Sequence, residues 1–172
     1  SALDATDYLL FGHDNGAIAS WGTSDRPNVE VERLTREWRF DETGNVGLIT
    51  VTIDTALLPA RSAGFGGFVI MVDPDGDFTS GSTIYPLTFV SGTEFKADNV
   101  NISDGNYITI GSARYYTQTT GDFSTAGTWM GGSVPGPSDV AVIGNGGTVT
   151  LTGNQTIGEL VVQSGGEIDL DS

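Results

Sequence analysis

The sequence holds no cysteine, a single histidine, and only 7 lysine and arginine residues against 22 aspartates and glutamates. Without cysteine, no disulfide staples the fold and no thiol chemistry operates. The formal net charge of −15 repels phosphate backbones and anionic lipid, which argues against nucleic acid or a membrane surface as partner. No apolar run approaches the roughly 18 residues of a membrane helix. No secretory leader precedes Ser1, which reads as the start of a mature or excised piece of a longer protein. Catalytic signatures are missing too: there is no G-x-S-x-G elbow, no H-E-x-x-H and no phosphate loop. "GFGG" at 64–67 precedes a strand pattern rather than a helix, so it has no helical N–H groups to offer a phosphate.

What the chain has is glycine, 25 residues of it, with Thr, Ser, Asn and Asp crowded between short apolar runs. Period-two alternation dominates. In "VGLITVTID" (46–54), Ile49, Val51 and Ile53 share one face and Thr50, Thr52 and Asp54 the other. "GGFVIMV" (66–72) is apolar on both faces, the pattern of a central strand buried between layers. Phe68, Ile70, Val72, Ile108 and Ile110 complete the expected core. "VEVERLTREWRF" (29–40) places Val29, Val31, Leu34, Trp38 and Phe40 at spacings that suit an extended segment better than a helix.

The texture changes near residue 114. Upstream strands are long and aromatic, as in an antiparallel β-sandwich. Downstream, a Gly/Pro-rich run gives way to very short apolar pieces, "VAVI", "TVTL", "QTIGELVV" and "GEIDL". Val149 and Ile168 stand 19 residues apart, one coil of a parallel β-helix with Gly and Asn at its corners. The expected fold is therefore all-β: a sandwich over 1–113, a linker or cap over 114–138, and the first coils of a β-helix, or solenoid, over 139–172. Less than two coils fit, so the solenoid looks cut short. Ile168 and Leu170 are expected to point inward, Asp169 and Asp171 outward. The C-terminal β-edge is expected to be covered by later domains of the same chain or by a neighbouring subunit.

Four blocks occur in order: "DYLLFGHDNG", "RLTREWRFDETGNVGLITVTID", "MVDPDGDFTSG" and "DGNYITIG". Across residues 7–111 they resemble an uncharacterised β-sandwich family found in very large secreted proteins of marine and gliding bacteria of the Bacteroidetes type. Members often sit beside laminin-G-like domains and before adhesin-type repeats. The segment from "GTWMGG" to "GEIDL" is similar to the opening coils of secreted β-helix proteins. The resemblance implies an extracellular, structural or adhesive part, and brings no catalytic residues with it.

Two clusters are candidate sites. In "DPDGDFTSG", Asp73, Asp75 and Asp77 alternate as in the first positions of an EF-hand and supply hard oxygen ligands, so Ca2+ is a candidate cofactor. Phe78 stands where that loop needs glycine, and Ile84 where it needs glutamate, so any calcium loop would be shorter; the other reading is a strand-ending turn. The second cluster is Arg33, Arg36, Trp38 and Arg39, either an anionic-ligand patch or internal ion pairs with Asp41 and Glu42 and a guanidinium stacked on the indole. His13 beside Asp14 has no nucleophile motif with it, and Asn15-Gly16 signals a hairpin turn. Tyr115, Tyr116, Phe123 and Trp129 either stack sugars or seal a junction. The function expected from these residues is a non-catalytic extracellular scaffold or adhesion module; the alternative is a carbohydrate-binding module of a polysaccharide-active enzyme, with surface polysaccharide as partner.

Overall fold

Alternating apolar and polar residues become strands almost throughout. The computed structural model describes residues 6–117, 119–130, 133–144 and 146–170. Among these the strands are β1 (Tyr8–His13), β2 (Val31–Arg33), β3 (Trp38–Thr43), β4 (Leu48–Asp54), β5 (Phe65–Asp73), β6 (Thr83–Pro86), β7 (Thr88–Ser91), β8 (Glu94–Asn101), β9 (Tyr107–Tyr116), β10 (Gly121–Asp122), β11 (Val140–Ile143), β12 (Thr148–Leu151), β13 (Glu159–Val162) and β14 (Glu167–Leu170). Two single 3-10 turns are the only helical pieces among them. The chain is all-β, and no helix among the described residues is long and apolar enough to cross a membrane. It divides into two units, residues 1–60 with 69–111, and residues 61–68 with 112–172.

In the first unit β1 pairs antiparallel with β3, and β3 with β9, so that Gly12, Arg39 and Tyr107 fall in one row across three strands. β2 and β5 also join β9, and β6 joins β5. From Gly66 onward β5 is buried, as its doubly apolar sequence demands. A separate antiparallel sheet has the order β4-β8-β7. Its register shifts between Ile49 and Val51, a bulge at which Asn99 of β8 takes φ 57°, a conformation Asn tolerates better than most residues.

Burial along β4 alternates as predicted, but Ile49, Val51 and Ile53 are half-buried rather than buried, and so is Ile110. They line a cleft of about 360 Å³ together with Leu9, Phe11, Trp38, Phe40, Ile70 and Ile108. Full burial falls instead on Leu34, Ile70, Met71, Phe78, Leu87, Val100 and Ile102. The segment 29–40 is not one extended run. Val29 is 65% exposed in a turn, β2 is three residues long, and the strand resumes only at Trp38. Asn15 does take a turn conformation (φ 66°), yet β1 pairs with β3, which begins at Trp38, so no tight hairpin forms there.

The second unit is built on parallel pairing. The end of β9 pairs with β11 (Tyr115 opposite Ala141) and β11 with β13 (Val140 opposite Glu159). β10 pairs with β12, and β12 with β14 (Val149 opposite Ile168). The β11/β13 and β12/β14 pairs share one offset, the 19 residues separating Val149 from Ile168. Tyr115, Phe123, Trp129, Ala141, Ile143 and Val149 form its core, with Leu151, Ile157, Leu160 and Ile168 packed against them. Trp129 meets the Phe123 ring edge-on at 5.2 Å, and its indole N–H donates to the Phe123 carbonyl at 2.8 Å. Tyr115, Phe123 and Trp129 are therefore core, not a sugar-stacking surface, while Tyr116 is half-buried and donates its hydroxyl to Gln163 Oε1 at 3.0 Å. Gly66 of the "GFGG" run is required by packing, since a Cβ there would fall 1.9 Å from the Tyr115 ring. Ile168 turns to the core as expected, whereas Leu170 is 72% exposed. Asp169 is exposed; Asp171 lies outside the described residues.

Candidate functional site

The aspartates of "DPDGD" end β5 in a ladder of short-range hydrogen bonds. Asp73 is 0% exposed. Its Oδ1 accepts the N–H groups of Asp75 (3.0 Å) and Gly76 (2.7 Å), and its Oδ2 the Ser82 hydroxyl (2.9 Å). Asp75 Oδ1 accepts the Asp77 N–H at 3.0 Å, and Asp77 Oδ1 accepts both the N–H and the hydroxyl of Thr79. The Thr79 hydroxyl, first among these donors, holds the Asp77 carboxyl below the ordinary carboxylate range. Such side-chain-to-backbone bonds are the means by which Asp shapes a turn. Among the described residues no three acidic or histidine side chains gather so as to hold a metal ion. Gly76 (φ 88°) presents its bare face to Tyr107, whose ring would lie 3.4 Å from a Cβ at that position. The turn thus supports an aromatic residue of β9.

The arginine cluster is brought together differently from the expectation. Arg33, 6% exposed, is paired with Asp25 and with Glu37 (2.8 Å), not with Asp41 or Glu42. Its Nε donates to the Asp25 carbonyl at 2.6 Å and its Nη1 to the Leu34 carbonyl at 3.0 Å. The ring beneath it is Phe78, at 4.5 Å from guanidinium carbon to centroid, not Trp38. The break in the strand at 34–37 accounts for the change, since Arg33 and Trp38 belong to different strands. Arg36 Nε donates to the Gly16 carbonyl at 2.9 Å. Trp38 turns to the internal cleft.

Arg39 stands apart. It is the only one of the seven basic residues whose side chain makes no hydrogen bond, ion pair or ring contact among the described residues. With Leu10, Phe11, Gly12, His13, Asp14, Glu37, Asp41 and Tyr107 it lines an open groove of about 420 Å³. Alternation places Arg39 and Asp41 on one face of β3, opposite Gly12 and Leu10 of β1. Phe11, 67% exposed, lies on the other face, where it stacks on Phe40 with centroids 5.2 Å apart and lines the cleft. At the groove's end, His13 Nδ1 accepts the Asn15 N–H at 3.0 Å, so a neutral ring carries its proton on Nε2. Asp14 Oδ1 accepts the N–H groups of Gly16 (2.8 Å) and Glu37 (3.1 Å). The Gly16 bond, foremost, holds this carboxyl below the ordinary range. Sequence reasoning missed the groove because its residues meet only through strand pairing; the one local sign was a glycine inside the apolar run of β1.

Residues 1–106 match the model of a family described as a domain of unknown function, DUF8202. The chain belongs to that family. No curated protein and no solved structure matches it.

Proposed function

We propose that the chain is a non-catalytic module of a large secreted or surface-displayed bacterial protein, serving as scaffold or adhesive spacer. In this reading the first unit is a β-sandwich and the second the opening of a parallel β-helix. The observation that carries it is the shared 19-residue offset of two successive parallel pairs. A solenoid has this property, because each turn of chain lays a strand on the previous one. The cleft lined from two sheets of the first unit supports the sandwich, and the four sequence blocks over 7–111 support the bacterial surface setting.

β13 and β14 each have one strand neighbour among the described residues. Such edges template further pairing, and later coils of the same chain or a neighbouring subunit would cover them. The His13–Asp14 pair speaks for a non-catalytic role, since backbone amides occupy the ring nitrogen and the carboxylate oxygen that a dyad would need. Protease treatment of intact source cells, followed by immunodetection of the chain, tests the reading. Loss of the cell-associated signal, or recovery of the chain from the medium, is expected. A protease-resistant signal released only on lysis would overturn it.

A further inference from the structure

The groove beside β1 combines three features that structural needs alone do not explain. The first is an unspent cation: in a chain with three times as many acids as bases, Arg39 has no partner among the described residues while the other six basic side chains do. Asp41, two residues along the same strand, likewise makes no ion pair among the described residues. The second is an empty floor. Gly12 lies opposite Arg39 in an ordinary strand, and a Cβ placed there would meet nothing within 4 Å. Neither backbone strain nor close packing requires glycine at this position, and any larger side chain would fill the groove. The third is apolar wall: Leu10, on the same face of β1, is 58% exposed, and Tyr107 is held in place by the Gly76 turn.

We propose that this groove binds a neutral pyranose chain, with Arg39 and Asp41 as donor and acceptor for its ring hydroxyls and with Tyr107 and Leu10 as the apolar walls. A vicinal diol offers both hydroxyl hydrogens and oxygen lone pairs. Guanidinium only donates and carboxylate only accepts, so the pair engages both in charge-assisted bonds. The C–H face of a pyranose supplies the apolar surface that an aromatic wall takes. The volume of about 420 Å³ lies within the roughly 300–1,000 Å³ of small-ligand sites. Uronate and sulfate sugars are disfavoured, because Asp14, Glu37 and Asp41 share the groove and the whole chain carries −15. A lysine-rich peptide fits worse, since Arg39 would face its cations.

The test is binding of the intact chain to an array of neutral glycans spanning glucans, mannans, galactans and xylans, with alginate and an oligolysine peptide as charged controls. Binding to at least one neutral glycan and to neither control is expected. Arg39→Ala and Gly12→Leu should each weaken it at least tenfold, with melting temperatures unchanged, since one side chain is exposed and the other position open. Absence of binding to every neutral glycan would overturn the proposal. Binding that survives both substitutions would place the ligand elsewhere and overturn it equally. Capture of oligolysine with no glycan bound would make the groove a peptide site instead.

Discussion

The guanidinium of Arg33 lies over the ring of Phe78, 4.5 Å from carbon to centroid, with both side chains buried. Phe78 is the residue that spoils the EF-hand pattern, and this contact is its reason for being there. Phe78→Ala should destabilise the fold by about 3–5 kcal/mol, the cost of emptying an aromatic core position. Arg33→Ala leaves Asp25 and Glu37 without their cation and should cost about 3 kcal/mol, at the low end for a broken buried pair because both carboxylates are part-exposed. The double variant should lose about 0.5–2 kcal/mol less than the sum, read from urea unfolding. Strict additivity would show that the stacking carries no energy.

The turn at 73–82 makes a prediction about calcium. Its carboxylates already satisfy amide and hydroxyl donors, so melting curves in calcium and in EDTA should superimpose. Asp73→Ala should lower stability by about 1–3 kcal/mol in either buffer, because it orphans buried donors. A melting temperature raised by calcium, and no longer raised in Asp75→Asn, would show a calcium cradle.

Core and cleft should respond differently to truncation. Ile70 is completely buried on the central strand, and Ile70→Ala should cost about 2–5 kcal/mol. Val51 borders the cleft and is half-buried, so Val51→Ala should cost about 1 kcal/mol. Equal losses would mean that the cleft closes in solution.

These contrasts bear on what was legible in the sequence. β4, β5 and the 19-residue offset are written locally, as a period of two, a doubly apolar run and a repeat spacing, and each appears where its pattern says. Glu37, four residues on, is a local partner of Arg33, but Asp25 and Phe78 reach it from eight residues before and forty-five after, and no periodicity announces them. The groove is still less visible, since Gly12, Arg39 and Tyr107 become neighbours only when β1, β3 and β9 align. Aromatic residues near 115–129 were ambiguous for a different reason. Trp and Tyr serve surfaces and cores alike, and only the strands packed on them decide.

Acid should destabilise the protein. The Thr93 hydroxyl chiefly, and the Ala56 amide with it, hold the Asp54 carboxyl below its ordinary range, and Asp122 is held down first by Ser124 and then by Thr152. A carboxyl whose folded pKa is depressed contributes stability that is fully present above its unfolded value, about 4, and is lost as the pH falls through the folded value. Urea midpoints should therefore hold steady from pH 7 to 5 and decline below about pH 4. Asp54→Asn, which keeps an acceptor without the charge, should flatten part of that decline. A midpoint independent of pH down to 3 would contradict the bonding of these aspartates.

The shared offset in the second unit has a mechanical consequence. Neighbouring strands lie about 4.8 Å apart, while the chain spends 19 residues from β11 to β13 and from β12 to β14. Length therefore accumulates at about 0.25 Å per residue, against about 3.3 Å for a lone extended strand. In the proposed β-helix almost all of the polypeptide would go into girth, and flexural rigidity climbs steeply with cross-section. A segment wound into the proposed β-helix would behave as a strut and not as a tether.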